Sequence, residues 1–173
     1  SASDEFDCHI IKLLIETENS SLQNKVVSED NNFRANNDTV NDVRRITLDD
    51  GTIGYFKSLR DNNDYLFEIP VLQEPINEVV VYKISQVLGS GFDQLVPETT
   101  IRHFEGKVGS IQKEVDGIVV SNLYKDHDTD RIHLAHCAVF DYLIGSMDRH
   151  TANYMGVEPP PEYRSIDNAF SLR

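Results

Sequence analysis

The chain has 173 residues, 39% of them hydrophobic, which is enough to bury one sizeable core and is typical of a single domain. Its net charge of −13 argues against nucleic acid as a partner and against tight binding to anionic lipid, because both interactions depend on clustered Lys and Arg. No apolar run reaches the length of a membrane span, the N-terminus lacks a secretion-signal pattern, and Cys8 and Cys137 have no paired spacing, so we expect a soluble cytoplasmic protein without a disulfide framework.

The first predicted elements are a helix and a loop. Residues 5–17 place apolar side chains at helical spacing, which predicts an amphipathic helix, although a strand is an alternative. Residues 28–42 are polar and rich in Asn and Asp, with Phe33 and Val40 as their apolar members. This composition indicates an exposed loop or a wide hairpin tip, and we expect it to be the most mobile internal segment.

Two β-hairpins are predicted in the N-terminal two thirds of the chain. Residues 43–48 and 53–57 are β-prone runs that flank an Asp-Gly turn, which is a strong short-range signal for a hairpin. Residues 99–104 and 108–115 flank a Glu-Gly-Lys turn in the same way. These four strands predict an antiparallel sheet.

Two helices and a final strand complete the expected elements. Residues 74–89 predict a helix, because Pro75 suits a first turn and Gly89 suits a helix end. The predicted apolar face of this helix consists of Val80, Ile84, Val87 and Leu88. A charged stretch, 125–131, precedes a largely apolar and buried helix over 134–147, and residues 164–167 are strand-like.

One constellation carries chemistry. Asp148-Arg149-His150 is followed by Asn153, and Asp167 follows after a Pro-rich turn. Phosphoryl transfer needs a group that steers the proton of the nucleophile, together with oxygen ligands that hold magnesium against nucleotide phosphates. An Asn and an Asp on neighbouring hairpin arms can share one metal ion. Taken alone, the triplet is also typical of a helix-capping Asp beside surface charges.

This motif resembles the catalytic and metal-binding loops of phosphatidylinositol 3- and 4-kinases, of bacterial HipA-like kinases and of the secretory casein-kinase family. The preceding segment 139–145, Val-Phe-Asp-Tyr-Leu-Ile-Gly, is similar to theirs as well. The resemblance implies that Asp148, Arg149 and His150 are catalytic and that Asn153 and Asp167 bind magnesium.

Further matches follow the same order along the chain. Lys57, at the end of a hairpin strand, resembles the ATP-binding lysine of these kinases, and Glu78 resembles the helix glutamate that pairs with it. The strand 109–112 resembles the one that leads to the adenine-binding segment, which implies nucleotide contacts at Gln112, Glu114 and Val115. Taken alone, Lys57 is typical of a strand lysine whose stem is buried, and Glu78 of an acid in a first helical turn.

The resemblance implies an α+β, small two-lobed protein-kinase-like fold. Its N-terminal lobe, about 1–115, would hold an antiparallel sheet and one main helix, and its short C-terminal lobe, about 116–173, would be mostly helical. The implied activity is an ATP- and magnesium-dependent kinase, and the acceptor is a hydroxyl on a protein or small molecule rather than a phosphoinositide, because no basic segment follows Asp167.

Two alternatives stay open at the level of sequence. A nucleotide-binding pseudokinase or interaction module is favoured by the short C-terminal lobe and by the lack of glycine in the segment 28–42. An acidic globular domain with an accidental motif match is the other. A minor metal-site hypothesis concerns His133 and His136, which lie three residues apart near Asp130, against the plainer interpretation of a solvated helix start.

Overall fold

A computed structural model describes residues 20–30, 43–58, 73–119, 131–146, 153–157 and 162–168. The chain divides into two compact units that are interleaved in sequence. The first comprises Ser1–Val79 and Thr99–Glu114, and the second comprises Val80–Glu98 and Val115–Arg173. The expected lobe boundary near residue 115 stays a prediction.

The first unit is built on a five-stranded antiparallel sheet. Its strands are β1 (Val26–Glu29), β2 (Val43–Leu48), β3 (Ile53–Ser58), β4 (Thr99–Phe104) and β5 (Lys107–Lys113). The strand order is β1-β2-β3-β5-β4. A short 3₁₀ turn, Ser21–Gln23, precedes β1.

Both predicted hairpins are confirmed, and turn chemistry explains them. The carboxylate of Asp50 accepts a hydrogen bond from the Thr52 backbone N–H at 2.9 Å, and Gly51 supplies a φ of 84°. In the second turn Glu105 and Gly106 have φ values of 48° and 78°. Two successive positive φ values match the right-handed twist of the strands that such a turn joins.

One face of this sheet carries the apolar core of the first unit. The buried members of the core are Leu22, Ile46, Leu48, Phe56 and Ile111. Because side chains alternate along a strand, Lys57 and its neighbours across the sheet lie on the opposite face. A small second cluster, centred on Val79 and Ile101, packs the start of the following helix against the first unit.

The helix predicted over 74–89 is confirmed as α1 (Gln73–Leu88), but its predicted apolar face is wrong for three of its four residues, since Ile84 packs against a core whereas Val80, Val87 and Leu88 are exposed. Gly89 ends the helix with a φ of 63°. Val87 is 86% exposed and Leu88 42% exposed, whereas the buried residues include several polar ones. The buried polar residues are Asn77, Glu78 and Ser85, and the buried apolar residues include Val79 and Val81. A polar side chain tolerates burial when it has a partner, and Glu78 has one in Lys57.

The interpretation of residues 28–42 as a loop needs a correction at its start. Residues 28 and 29 belong to β1, which pairs with β2 in antiparallel register from Val26 opposite Leu48 to Glu29 opposite Ile46. β1 was not predicted, because it has only four residues and its exposure does not alternate. Residues 31–42, and the helix predicted over 5–17, lie outside the described residues.

The second unit contains a helix and a small sheet. The helix, α2 (Arg131–Leu143), begins three residues before the predicted start at Leu134 and ends four before Met147. Its earlier end has a local cause, since Gly145 adopts a φ of 58°. The sheet is antiparallel, with order β6-β7-β8, and consists of β6 (Ile118–Val119), β7 (Tyr154–Val157) and β8 (Glu162–Ser165).

α2 is buried on one side, not throughout as the sequence predicted. The core of the second unit contains Leu95, Val96, Cys137, Phe140 and Ile144. The strand predicted over 164–167 ends at Ser165, because Asp167 leaves the extended conformation with a φ of 55°. Within the described parts of the chain, neither helix has the length and apolarity that a membrane crossing requires.

Candidate functional site

Lys57 and Glu78 form a largely buried ion pair in the first unit. Lys57 Nζ donates a hydrogen bond to Glu78 Oε1 at 2.8 Å. The side chain of Glu78 is 3% exposed and that of Lys57 is 17% exposed. A carboxylate removed from water to this degree needs a cation or several hydrogen bonds. The pair therefore fixes the lysine ammonium at one position on the sheet, as the sequence predicted.

A close approach between strands sets the position of Lys57 along the sheet. Ser58 lies opposite Gly109 and Lys57 lies opposite Ser110 in the β3–β5 register. A Cβ at Gly109 would lie 2.1 Å from the Lys57 carbonyl oxygen, well inside contact distance. Gly109 is therefore a steric requirement of this register, and it was not predicted.

Gln112 and Glu114, which the resemblance assigns to nucleotide binding, have protein partners for their side chains. Gln112 is buried, and its Nε2 donates to Thr99 Oγ1 at 3.0 Å. Glu114 accepts two hydrogen bonds from the guanidinium of Arg45, at 2.8 and 3.0 Å. Nucleotide contacts from this strand would therefore involve backbone groups, and such contacts stay a prediction.

The pair of Arg45 and Glu114 was not predicted, and it extends to Tyr55. Tyr55 donates its hydroxyl hydrogen to Glu114 Oε1 at 2.8 Å. The hydrogen bonds from Arg45 lower the pKa of Glu114, with help from Tyr55, so this carboxylate is ionised at neutral pH. Burial, followed by the hydrogen bond to Glu114 and then by the charge of Glu114, raises the pKa of the Tyr55 phenol. The three side chains fix the end of β5 against β2 and β3.

Of the remaining residues predicted to bind nucleotide or to be catalytic, the structure describes Val115. Val115 is half-buried and is the first residue of its part of the second unit. The residues predicted to be catalytic, Asp148, Arg149 and His150, lie outside the described residues. Their assignment stays a prediction from the motif.

The two predicted metal ligands lie at the same end of the β7–β8 hairpin. Asn153 directly precedes β7 and Asp167 follows β8, and the Ile166 N–H donates to the Asn153 carbonyl at 2.9 Å. Asn153 is 7% exposed, whereas Asp167 is exposed. The expectation that these residues occupy neighbouring hairpin arms is thus confirmed.

A buried asparagine positions the turn that carries Asp167. Ser165 Oγ donates to Asn168 Oδ1 at 3.0 Å, and Asn168 is 1% exposed. With both neighbours fixed, Asp167 takes its positive φ, a conformation that Asp tolerates better than most residues. The sequence showed Asn168 only as part of the motif and gave no sign of its structural role.

Three further contacts hold this hairpin within the second unit. The Tyr154 hydroxyl donates to Asp141 Oδ2 on α2. The Tyr163 N–H donates to His133 Nε2 at 2.7 Å, and the Ser165 N–H donates to the Leu95 carbonyl at 2.6 Å. The strands that carry Asn153 and Asp167 are therefore anchored by side chains of the helix as well as by the backbone.

The histidine metal-site hypothesis gains no support from these positions. His133 is half-buried and contacts the backbone of Tyr163, while the ring of His136 lies 4.8 Å from that of Phe92. Among the residues that the structure describes, no group of three or more His, Cys, Asp and Glu side chains could hold a metal ion.

Magnesium fits the Asn153 and Asp167 pair better than zinc does. A structural zinc ion needs about four protein ligands, usually Cys or His. Magnesium accepts oxygen ligands, and nucleotide-bound magnesium commonly takes one or two from the protein and the rest from phosphates and water. The amide oxygen of Asn153 and the exposed carboxylate of Asp167 are an appropriate set of protein ligands for magnesium that is bound to a nucleotide.

The chain was compared with known protein families and with curated proteins, and neither comparison finds a match. Assignment to a kinase family therefore stays a prediction that depends on the motifs and on the geometry of these residues.

Proposed function

We propose that the chain is an ATP- and magnesium-dependent kinase with a protein-kinase-like fold, which transfers the γ-phosphate to a hydroxyl of a protein or small molecule. The observation that carries the proposal is the buried ion pair between Lys57 and Glu78. A buried carboxylate that fixes a lysine on a central strand gives a stationary positive charge suited to phosphate oxygens.

The lysine can hold two anions at once. An ammonium group has three N–H donors, so Glu78 can hold it through one donor while another contacts a phosphate oxygen. Fixing the ammonium in advance lowers the entropy cost of binding, because the flexible stem of Lys57 is already ordered.

Asn153 and Asp167 would hold the magnesium ion. Bound magnesium offsets the negative charge of the phosphates, which an acidic protein cannot do with its own surface. Asp167 is exposed, on the turn that Asn168 positions.

Asp148 is proposed to accept the proton of the acceptor hydroxyl. The acceptor oxygen forms a bond to the γ-phosphorus, the bond from that phosphorus to its bridging oxygen breaks, and ADP leaves with the electron pair. His150 would assist close to the transferring phosphate, and Arg149 lies between these two residues in the motif. The expected contribution of a positioned base is about a hundredfold or more in rate.

A matched pair of lysine variants tests the proposal. Lys57→Met removes the proposed phosphate contact, and Lys113→Met removes an exposed lysine from the neighbouring strand. We expect Lys57→Met to raise the ATP dissociation constant about tenfold to a hundredfold, which is the range for one charge-assisted hydrogen bond. Lys113→Met should bind ATP as the parent does.

Two outcomes would contradict parts of the proposal. Equal affinity in the parent and in folded Lys57→Met would show that Lys57 has only a structural role. Tight magnesium-dependent ATP binding without phosphate transfer to protein, small molecule or water would favour the nucleotide-binding pseudokinase instead.

A further inference from the structure

Helix α2 carries an exposed apolar face. Its large side chains include Tyr142, 86% exposed, Ile132, 69% exposed, and Leu143, 56% exposed. We define the α2 face by all its exposed apolar residues, which are Ile132, Leu134, Ala135, Ala138, Val139, Tyr142 and Leu143. About a quarter of the whole chain, 26%, is charged, and its net charge is −13. An apolar surface of this kind on a strongly acidic protein is typical of an interaction site.

The spacing of the α2 face is that of a helix that packs against another helix. Ile132, Ala135, Val139 and Tyr142 follow one another at intervals of three, four and three residues. This is the spacing of the seam positions in paired helices. Ala135 and Ala138 are small enough to let the backbone of a second helix approach closely.

The area of the α2 face suits a dimer. If each of its five large side chains is given about 200 Å², which lies within the range for aromatic residues and is an upper value for aliphatic ones, their exposed fractions add to at most about 600 Å² of surface. Two copies brought together would therefore bury at most about 1,200 Å², which is at the lower end of the range for stable interfaces.

We propose that a second copy of this chain binds to the α2 face, so that the protein forms a twofold dimer through α2. The proposal does not depend on the kinase activity. The net charge of −13 makes most approaches between two copies repulsive, whereas an uncharged face lets them meet without burying a carboxylate. In a twofold arrangement each residue of the face meets the same apolar set on the other copy.

The charge also gives the dimer a distinctive salt dependence. Salt screens the remaining repulsion between the two acidic copies and does not weaken apolar contact. Raising sodium chloride from about 50 mM to about 500 mM should therefore tighten the dimer, whereas an interface held by ion pairs would loosen.

Sedimentation equilibrium of the full chain tests the proposal. We expect a monomer–dimer equilibrium with a dissociation constant of about 1–100 µM. Val139→Glu, which places a charge in the centre of the face, should raise that constant at least about tenfold. Val87→Glu is the matched control, because Val87 is 86% exposed on α1 and lies outside the α2 face.

Three results would overturn the proposal. The first is a parent chain that stays monomeric at about 1 mM, well above the expected dissociation constant. The second is an equal effect of Val139→Glu and Val87→Glu. The third is assembly that continues beyond the dimer or that weakens with salt in the parent, a measurement that does not depend on the folding of any variant.

Discussion

The ion pair between Lys57 and Glu78 should couple strongly in a double-mutant cycle. Lys57→Met leaves a carboxylate whose side chain is only 3% exposed without its cation, and such a loss costs about 3–5 kcal/mol. Glu78→Leu should cost less, about 1–2 kcal/mol, because the 17% exposed lysine can extend its ammonium toward water. The double variant, with apolar groups of similar volume, should be within about 1 kcal/mol of the parent.

These values predict a coupling free energy of at least about 3 kcal/mol, measured by urea unfolding of the four proteins at pH 7. The pair of Arg45 and Asp30 is the control, since its atoms lie 3.6 Å apart and its side chains are 27% and 39% exposed. We expect coupling below about 1 kcal/mol there. If the free energies for Lys57 and Glu78 were additive within about 0.5 kcal/mol, the argument from burial would be wrong.

Three further predictions concern other parts of the molecule. Gly109→Ala should destabilise the protein by about 2–3 kcal/mol and more than Gly54→Ala, because its Cβ meets the backbone of Lys57 whereas the nearest atoms to that of Gly54 belong to the Ile111 side chain; equal losses in thermal unfolding would contradict this. Glu114→Gln should cost about 1–2 kcal/mol at pH 7. Because the pKa of Glu114 is lowered in the folded protein, the stability that this carboxylate contributes is present above the ordinary carboxyl pKa and is lost as the pH falls through the folded pKa. Urea unfolding should therefore show the free energies of unfolding of parent and variant converging in acid. A difference that stays constant with pH would refute the assignment. Asp167→Asn should abolish the magnesium-dependent part of ATP affinity but spare metal-free binding, and calorimetric titration that shows unchanged magnesium dependence would exclude Asp167 as a ligand.

The parts of the fold that follow from local chemistry could be predicted from the sequence. The Asp50-Gly51 and Glu105-Gly106 turns need positive φ, and both hairpins form where these turns place them. Gly89 ends α1 for the same reason. The conformation of such turns and helix ends is specified by a few adjacent residues, so it depends little on distant contacts.

The parts that depend on distant residues were missed or predicted wrongly. The buried face of α1 includes Glu78 because Lys57, 21 residues earlier, neutralises it, and a periodicity of apolar residues cannot show that. Arg45 and Glu114 are separated by 69 residues, so their contact also had no local signal. In the same way, the β1 strand is specified by its pairing with β2 more than by its own four residues.

Some contacts of the candidate site residues could be predicted and others could not. The ion pair of Lys57 and Glu78 and the shared hairpin of Asn153 and Asp167 could be predicted, because a resemblance carries contacts that spacing alone does not. The supports of the site could not. Asn168 is buried beside Ser165, and His133 contacts the backbone of Tyr163, and each contact depends on packing within the second unit.

Calorimetric titration of the parent chain with ATP, in the presence and in the absence of magnesium, is the decisive test of the proposed nucleotide site. We expect binding of ATP to a single site, with an affinity that rises at least about tenfold when magnesium is added, because the ion offsets repulsion between phosphates and an acidic protein. ADP should bind in the same way but more weakly. No detectable heat at millimolar nucleotide, together with no shift in melting temperature, would contradict the proposed nucleotide site.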